Sequence, residues 1–463
     1  MLATKQCPLS LKAPIGATDS GQVLGWAGRL LLALCVLGGA LVLAALLSPR
    51  IWLPEPVEPS PPTPRPVLLT ESAGQAVIVG DVALARKQID EAVAEDPHHA
   101  PALLLQACMA LESGDFSAAR VALTRLKSEV PERRGAELLE RLLVYRTRAP
   151  EMGWRQAFLK AWTELGRPGF LDSPLLLPRV ELPAVQDFMP AHVEEHATSA
   201  AGRLALVLAR PRIPQENARW LVEQLPTLEE PGWVLATSVA LLPANVPPAL
   251  HEKARAVIRR RLSRLVEASP RVMQPRLLLL WAEAPEWAAF SEQEFTVLEA
   301  IAALPVLSDT SPFQIFLEAR ARLKEAGIPH PGIGAFEAAL WSNTNWSAYL
   351  LLDRAESTRS LLLPGARHRL GRILWKIGSR VSQQSTHLER MMGLQLMEDG
   401  AMDMEDEAER ERVEHARKEA IALFHSADQA DLERWPLPSL WEEVAEARAR
   451  DEWGHIREFA GTP

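Results

Sequence analysis

The residue types that could carry catalysis are concentrated in one short segment, HVEEH, from His192 to His196. The two histidines stand four residues apart, so on a helix they would face the same side, with Glu195 beside them. Imidazoles in this arrangement can bind zinc while the carboxylate takes a proton from a metal-bound water. The spacing therefore allows zinc-dependent hydrolysis.

The pattern H-x-x-E-H resembles that of the inverzincins, which take a third zinc ligand from a glutamate far downstream. Glu267 stands in about that place. The apolar and glycine-containing surroundings typical of that family are missing, and so is an alternation of strands and helices. We interpret the segment as the solvated first turn of a helix after Pro190. A zinc hydrolase with His192, Glu195, His196 and Glu267 is the alternative.

The composition argues against several other functions. A net charge of −9 with 24% charged residues favours neither disorder nor a polyanion-binding surface, so we expect no nucleic-acid partner. Cys7, Cys35 and Cys108 are too few and too dispersed for a disulfide framework or a thiolate metal site. The main interpretation has no cofactor, no metal and no small-molecule substrate.

The elements that must position any site are predicted to be helices. Ala, Leu, Arg and Glu dominate, Tyr occurs only twice, and alternating runs of β-branched and aromatic residues are missing. The chain has material for roughly two or three domains or for one extended solenoid. We predict an all-α protein in which the tryptophans pack between helices.

An apolar run, Leu30–Leu47, contains no charged residue. At 1.5 Å per residue it covers about 27 Å, close to the hydrocarbon thickness of a bilayer. The residues around Ser48 suit signal-peptidase cleavage poorly. We predict an N-terminal tail over 1–22 and an uncleaved transmembrane helix over 23–47.

Flanking cations predict the orientation of this helix. Lys5, Lys12 and Arg29 precede the uncharged part of the span, Leu30–Leu47, and Arg50 and Arg65 follow it, which favours a cytoplasmic N-terminus. The excess of Arg over Lys is typical of high-GC bacterial genomes. We therefore predict a single-pass protein of the inner (cytoplasmic) membrane whose soluble body is periplasmic.

The segment 48–66 is rich in proline, with eight prolines between Pro49 and Pro66. Proline locks φ and removes amide donors, so this density favours an extended polyproline-like spacer. The spacer would hold the body away from the membrane surface.

A repeat follows the spacer. VGDVALARKQIDEAVAEDP, from Val79 to Pro97, recurs as SGDFSAARVALTRLKSEVP, from Ser113 to Pro131, displaced by 34 residues. That period is the length of a helical hairpin unit. Glycine can take the left-handed conformation that ends one helix, alanine allows two helices to approach closely, and proline ends the second helix.

At these positions the chain resembles the tetratricopeptide repeat family. The resemblance covers about two units within residues 67–149 and implies antiparallel helix pairs that stack into a protein-docking framework. The resemblance implies that a set of small and turn-forming residues packs the repeats: Gly80, Ala85, Ala92, Pro97, Ala107, Gly114, Ala119 and Pro131.

The resemblance also implies a concave groove lined by the first helix of each unit, in which family members bind extended or helical peptides. Carried over, its lining is Leu104, Cys108, Leu111, Leu138, Leu142 and Tyr145. The lining is apolar, and the Lys and Asn set that holds a C-terminal carboxylate in some relatives is absent. Either a partner's amphipathic helix or this chain's own next helix could fill such a groove. The long chain that follows favours the second alternative.

A third unit diverges, because Arg141 occupies its small position. We predict a solvated helix over 135–147 and then an irregular α-solenoid or helical array over 150–463, with subdivisions near 243–248 and 329–331. One of its helices is predicted over 366–398, with a possible break and an apolar stripe that enters the core. The whole sequence predicts a membrane-anchored helical-repeat scaffold that mediates protein–protein interaction in a bacterial envelope, with an unidentified protein partner.

Overall fold

The computed structural model describes residues 63–129, 134–176, 199–210, 213, 215–242, 246–283 and 290–461. Within these residues 19 helices pack as consecutive hairpins, so the all-α prediction is confirmed. The helices are α1 (Arg65–Ile78), α2 (Val82–Glu95), α3 (Ala100–Glu112), α4 (Phe116–Glu129), α5 (Arg134–Arg148), α6 (Trp154–Glu164), α7 (Ala200–Leu208), α8 (Gln215–Gln224), α9 (Pro231–Ala240), α10 (His251–Ala268), α11 (Gln274–Glu283), α12 (Glu292–Ala302), α13 (Pro312–Glu325), α14 (Pro331–Leu340), α15 (Asn345–Thr358), α16 (Pro364–Val381), α17 (His387–Asp403), α18 (Glu407–Asp428) and α19 (Pro438–Ala460).

The repeated turns of the first two hairpins have the same local geometry. Gly80 and Gly114 adopt φ of 78° and 74°, values that L side chains rarely adopt. The next residue, Asp81 in one turn and Asp115 in the other, accepts a backbone N–H bond of 2.9 Å from three residues onward. These bonds satisfy an orphan donor at the start of α2 and of α4.

The small repeat residues lie where helices meet. Ala85, Ala92, Ala107 and Ala119 are fully buried. Each first helix, α1, α3 and α5, contacts its own second helix and also the neighbouring first helix. Alanine at these points allows the hairpins to nest. Pro131 lies outside the described residues.

One prediction separates the two glycine turns. A Cβ on Gly114 would meet nothing within 4 Å, whereas a Cβ on Gly80 would lie 2.5 Å from Cγ of Pro329. Gly114→Ala should cost about 1 kcal/mol through its positive φ alone. Gly80→Ala should cost about 1–3 kcal/mol more, because a proline ring cannot rotate away. Urea unfolding of both variants measures the difference. Equal losses of stability in the two variants would contradict the contact between the Gly80 turn and Pro329.

The third hairpin, α5 with α6, corrects the sequence-based expectation of a solvated helix over 135–147. Leu138, Leu139 and Leu142 are fully buried on one face of α5. A Cβ on Gly135 would lie 3.2 Å from Leu175 and 3.6 Å from Trp435. Segments distant in sequence therefore cover this face.

Several helices of the remainder begin at a proline. Proline is tolerated in the first turn of a helix, where its missing N–H has no intrahelical partner. Pro231, Pro331 and Pro364 open α9, α14 and α16 in this way. α9 is buried on all sides after Pro231 and therefore has no amphipathic period.

The segment predicted as one helix over 366–398 forms two helices, α16 and α17. They pack against each other more closely than any other helix pair of the described chain. The apolar stripe of α16 (Leu370, Ile373, Leu374 and Ile377) is buried, as predicted. Gly371 and Gly378 of α16 lie opposite Gly400 and Gly393 of α17, where Cβ atoms would approach backbone within 3 Å.

The last helix, α19, joins parts of the chain that are far apart in sequence. It contacts α6, α13, α14 and α18. It is broken at Asp451, whose backbone is non-helical and whose Oδ1 accepts the N–H of Gly454 at 2.8 Å. Arg155 of α6 contacts both halves: its backbone N–H donates to Glu443 at 2.9 Å, and its guanidinium pairs with Glu458 at 2.6 Å.

The predicted transmembrane helix and all but the end of the predicted spacer lie outside the described residues. Among the helices that the structure does describe, none combines the length and the apolar character needed to cross a bilayer.

Candidate functional site

Of the four residues of the candidate zinc site, the structure describes only Glu267. His192, Glu195 and His196 lie outside the described residues. Glu267 is exposed at the end of α10. In the described part of the chain, no group of three or more His, Cys, Asp or Glu residues has an arrangement that could hold a metal ion.

The predicted groove residues of α3 and α5 lie together, but in the interior. Leu104, Cys108, Leu111, Leu138 and Leu142 are each at most 2% exposed. Burial raises the pKa of the Cys108 thiol well above its ordinary value. This surface is therefore a packed interface.

The chain itself covers the groove. Residues 429–444, here called the closing segment, share one hydrophobic core with α3, α5 and α6, together with residues 170–176. Trp435 is its centre: the ring is fully buried and meets Phe158 and Phe170 edge-on, at centroid distances of 5.7 and 5.1 Å. Its indole N–H donates to the carbonyl of Ala430 at 3.1 Å, so this burial leaves no unpaired donor.

Arg434 fastens the closing segment to residues 170–176. Its guanidinium donates to the carbonyls of Phe170, Leu171, Ser173 and Leu176 at 2.9–3.3 Å. It also pairs with Asp431 at 2.9 Å. A planar group with five fixed donors suits such a cluster of carbonyls. A loop with no regular secondary structure is held in place in this way.

Two glutamates complete the closure. Glu112, at the end of α3, accepts the backbone N–H and the hydroxyl of Ser439 at 3.0 and 2.7 Å. Burial raises the pKa of Glu112, and the bonds from Ser439 oppose that rise. Glu443 accepts the N–H groups of Trp154 and Arg155 and so caps α6 from a different helix.

Tyr145 lies half-buried at the rim. Its hydroxyl donates to Glu164, which also pairs with Arg141 at 2.8 Å, and Lys160 stands 4.7 Å from the ring centroid. Burial and the bond to Glu164 raise the pKa of Tyr145 to about 12. The hydroxyl therefore stays protonated at neutral pH and holds α5 against α6.

His455, in the second half of α19, is buried against Phe459 at a centroid distance of 4.6 Å. Its Nδ1 has no hydrogen-bond partner among the described residues. Burial lowers its pKa to about 3, and the positive charges of Arg448 and Arg155 act in the same direction. The ring is neutral in the folded protein at any physiological pH.

Because His455 is buried in its neutral form, we expect the folded protein to lose stability in acid. In the unfolded chain His455 binds a proton below its ordinary pKa of about 6.5, whereas in the folded chain it stays neutral down to about pH 3. The free energy of unfolding should fall by about 2 kcal/mol between pH 7 and pH 5 from this group alone. Urea unfolding of wild type and His455→Leu at both pH values isolates that contribution, because carboxyl groups are common to both. An identical pH dependence in the two proteins would contradict the prediction.

Sequence reasoning missed the closing segment. Its residues meet α3 and α6 across roughly three hundred positions, and no periodicity in either segment points to the other. The run ERWPLPSLW, from Glu433 to Trp441, carries the available signal, because two tryptophans and two prolines within nine residues indicate a rigid packed turn.

No protein-family model, no curated protein and no solved structure matches this chain.

Proposed function

We propose that this protein is a membrane-anchored helical-repeat scaffold that mediates protein–protein interaction in a bacterial envelope. The anchor is the apolar segment 23–47, the spacer is 48–66, and tetratricopeptide-like repeats over 67–149 continue into an irregular α-solenoid. In this proposal the body lies on the periplasmic side of the inner membrane.

One observation carries the proposal: small residues at a fixed interval nest consecutive hairpins. Ala85 and Ala119 occupy equivalent buried positions, and α1, α3 and α5 form a continuous row of contacting first helices. Such arrays present extended surfaces whose residues are set by repeat geometry, a property suited to binding other proteins.

The surface available to a partner is not the predicted groove, because the closing segment occupies it. The second helices carry exposed apolar side chains: Val82 and Leu84 of α2 are 52% and 42% exposed, and Val121 of α4 is 60% exposed. A depression beside α2 is lined by Val82, Ala83, Ala94 and four charged residues of both signs. We place partner contact on these outer faces.

Photo-crosslinking in native membranes tests the proposal. A photoreactive residue at Val82 or Val121 of the full-length chain should give a discrete adduct with another protein, identified by mass spectrometry. The matched control is the same residue at Leu142, which is fully buried and should give no adduct. The absence of a protein adduct from both Val82 and Val121 would count against a scaffold role.

Two further measurements address the anchor and the alternative. The full-length chain should resist extraction from membranes by alkaline carbonate if the apolar segment is an anchor. Zinc analysis of purified protein and of His196→Ala tests the hydrolase: stoichiometric zinc that the variant loses would favour it over the scaffold.

A further inference from the structure

The described chain has two strongly basic helices, and they differ in how their cations are used. On α16, Arg369 pairs with Glu292 and Glu299, and Arg367 lies 3.5 Å from Asp403. On α10, Arg259, Arg260 and Arg264 are exposed and have no ion pair within the described residues. Two further cations of α10 are used in the fold, since Arg255 pairs with Glu252 and Arg261 donates to the carbonyl of Leu228. On α16, Arg372 and Lys376 are also exposed without an ion pair in the described residues, so the two helices differ only in degree.

The unpaired cations of α10 lie on its outward side, opposite the buried Ala254, Ile258 and Leu262. With Lys253, which reaches Glu223 only at 4.0 Å, they form a surface here called the cationic strip: Lys253, Arg259, Arg260 and Arg264. From Lys253 to Arg264 it extends about 16 Å along the helix. Arg260 and Arg264 stand four residues apart, where like charges repel and weaken the helix.

The strip is shaped for a flat anionic surface. The residues between its cations on the outward face are small, Ala256 and Ser263, so the long cationic side chains project furthest. None of the exposed large apolar side chains of the described chain lies on α10. Protein interfaces centre on buried aromatic or aliphatic anchors, and this face offers none. Binding to anionic lipid headgroups requires positive charge on the protein and no apolar anchor.

We propose that the cationic strip binds the anionic phospholipid headgroups of the membrane that anchors the chain. The inference rests on the proposed anchor, which keeps the local lipid concentration high. Each Lys or Arg close to an anionic leaflet multiplies the bound population about fivefold. Without such a site, a chain of net charge −9 would be repelled by that surface.

The test uses the full-length chain in lipid nanodiscs, either of phosphatidylcholine alone or with phosphatidylglycerol added. A nitroxide is attached at Ala256→Cys in a Cys7→Ser, Cys35→Ser background, with the buried Cys108 retained. Its accessibility to a water-soluble nickel complex should fall in the phosphatidylglycerol discs and recover in high salt. A label at Val121→Cys on α4 is the control position.

Arg260→Gln with Arg264→Gln should lower the ratio of bound to free body about 25-fold and restore accessibility. The matched control is Arg219→Gln with Lys324→Gln, two exposed cations of α8 and α13. Neither variant should unfold at a lower urea concentration than wild type, because the four side chains are exposed. The Arg260 and Arg264 variant should unfold at a slightly higher one, because it loses a like-charge pair. Equal accessibility of the label in the two lipids would overturn the proposal.

Protection that requires a membrane extract, and not purified phosphatidylglycerol, would assign the strip to an acidic protein and would likewise overturn the lipid proposal. Failure of the anchor is a separate result, because alkaline carbonate would then extract the full-length chain whatever the nitroxide reports.

Discussion

Gly393→Ala should be among the most damaging single substitutions in this protein. A Cβ at this position would lie 2.1 Å from the backbone nitrogen of Ser382 and 2.6 Å from its Cα. The carbonyl oxygen of Gly378 would be 2.7 Å away. These neighbours are backbone atoms that cannot change rotamer, so α16 and α17 would have to separate. We expect a loss of at least about 3 kcal/mol in the free energy of unfolding, or failure to fold.

Urea unfolding followed by tryptophan fluorescence measures this loss. Gly400→Ala should behave similarly, since its Cβ would lie 2.8 Å from the carbonyl oxygen of Gly371. Gly365→Ala is the matched control on the same hairpin, because nothing lies within 4 Å of its Cβ and its backbone is helical. It should be neutral or slightly stabilising. A cost below about 1 kcal/mol for Gly393→Ala would mean that the two helices are further apart than described.

Trp435→Ala should open the interface between the closing segment and the repeats. The substitution removes a fully buried indole that contacts Phe158 and Phe170. Truncation of a buried tryptophan costs about 3–5 kcal/mol, since the cavity collapses only in part. Cys108 is a built-in reporter, because it lies in the same core and is completely buried. Its alkylation by a maleimide, followed by mass spectrometry of the Cys108 peptide, should be much faster in the variant.

Trp375→Ala is the control for this experiment. Trp375 is half-buried on α16 and belongs to a separate cluster with Leu394 and Val413. It should cost less stability and raise the alkylation rate of Cys108 only as far as that smaller loss of global stability requires. If Trp435→Ala raised the rate no further than its own loss of global stability requires, the closing segment would not be what shields the groove.

Closure of the groove changes how a repeat protein of this kind responds to damage. In an open solenoid each unit contacts only its neighbours, and the ends unfold first. Here α19 contacts helices from early, middle and late parts of the chain. It contributes to two of the main hydrophobic cores, with Ala445 and Ala449 in one and Val444 and Phe459 in the other. We therefore expect the described residues from 65 onward to unfold as a single cooperative unit.

The sequence alone determined what depends on neighbouring residues. Glycine and aspartate specify the turns before α2 and α4, and alanine marks the contact positions of the repeats. Amphipathic periodicity predicted the apolar stripe of α16, which is buried. These features rest on φ preferences, capping and side-chain volume, which act within one or two turns. The repeat resemblance, and not these local features, grouped the groove residues Leu104 and Leu142 as one apolar surface, and both lie in one hydrophobic core.

Only the tertiary structure decided what covers that surface and which charges remain free. Trp435 and Arg434 reach their partners across more than 250 residues, and an apolar helix such as α9 carries no periodicity because it is buried on every side. The basic runs of α10 and α16 look alike in sequence. They differ because acidic residues of other helices approach Arg369 and do not approach Arg260. Pairing between distant segments depends on the summed packing of the whole chain, which no local pattern encodes.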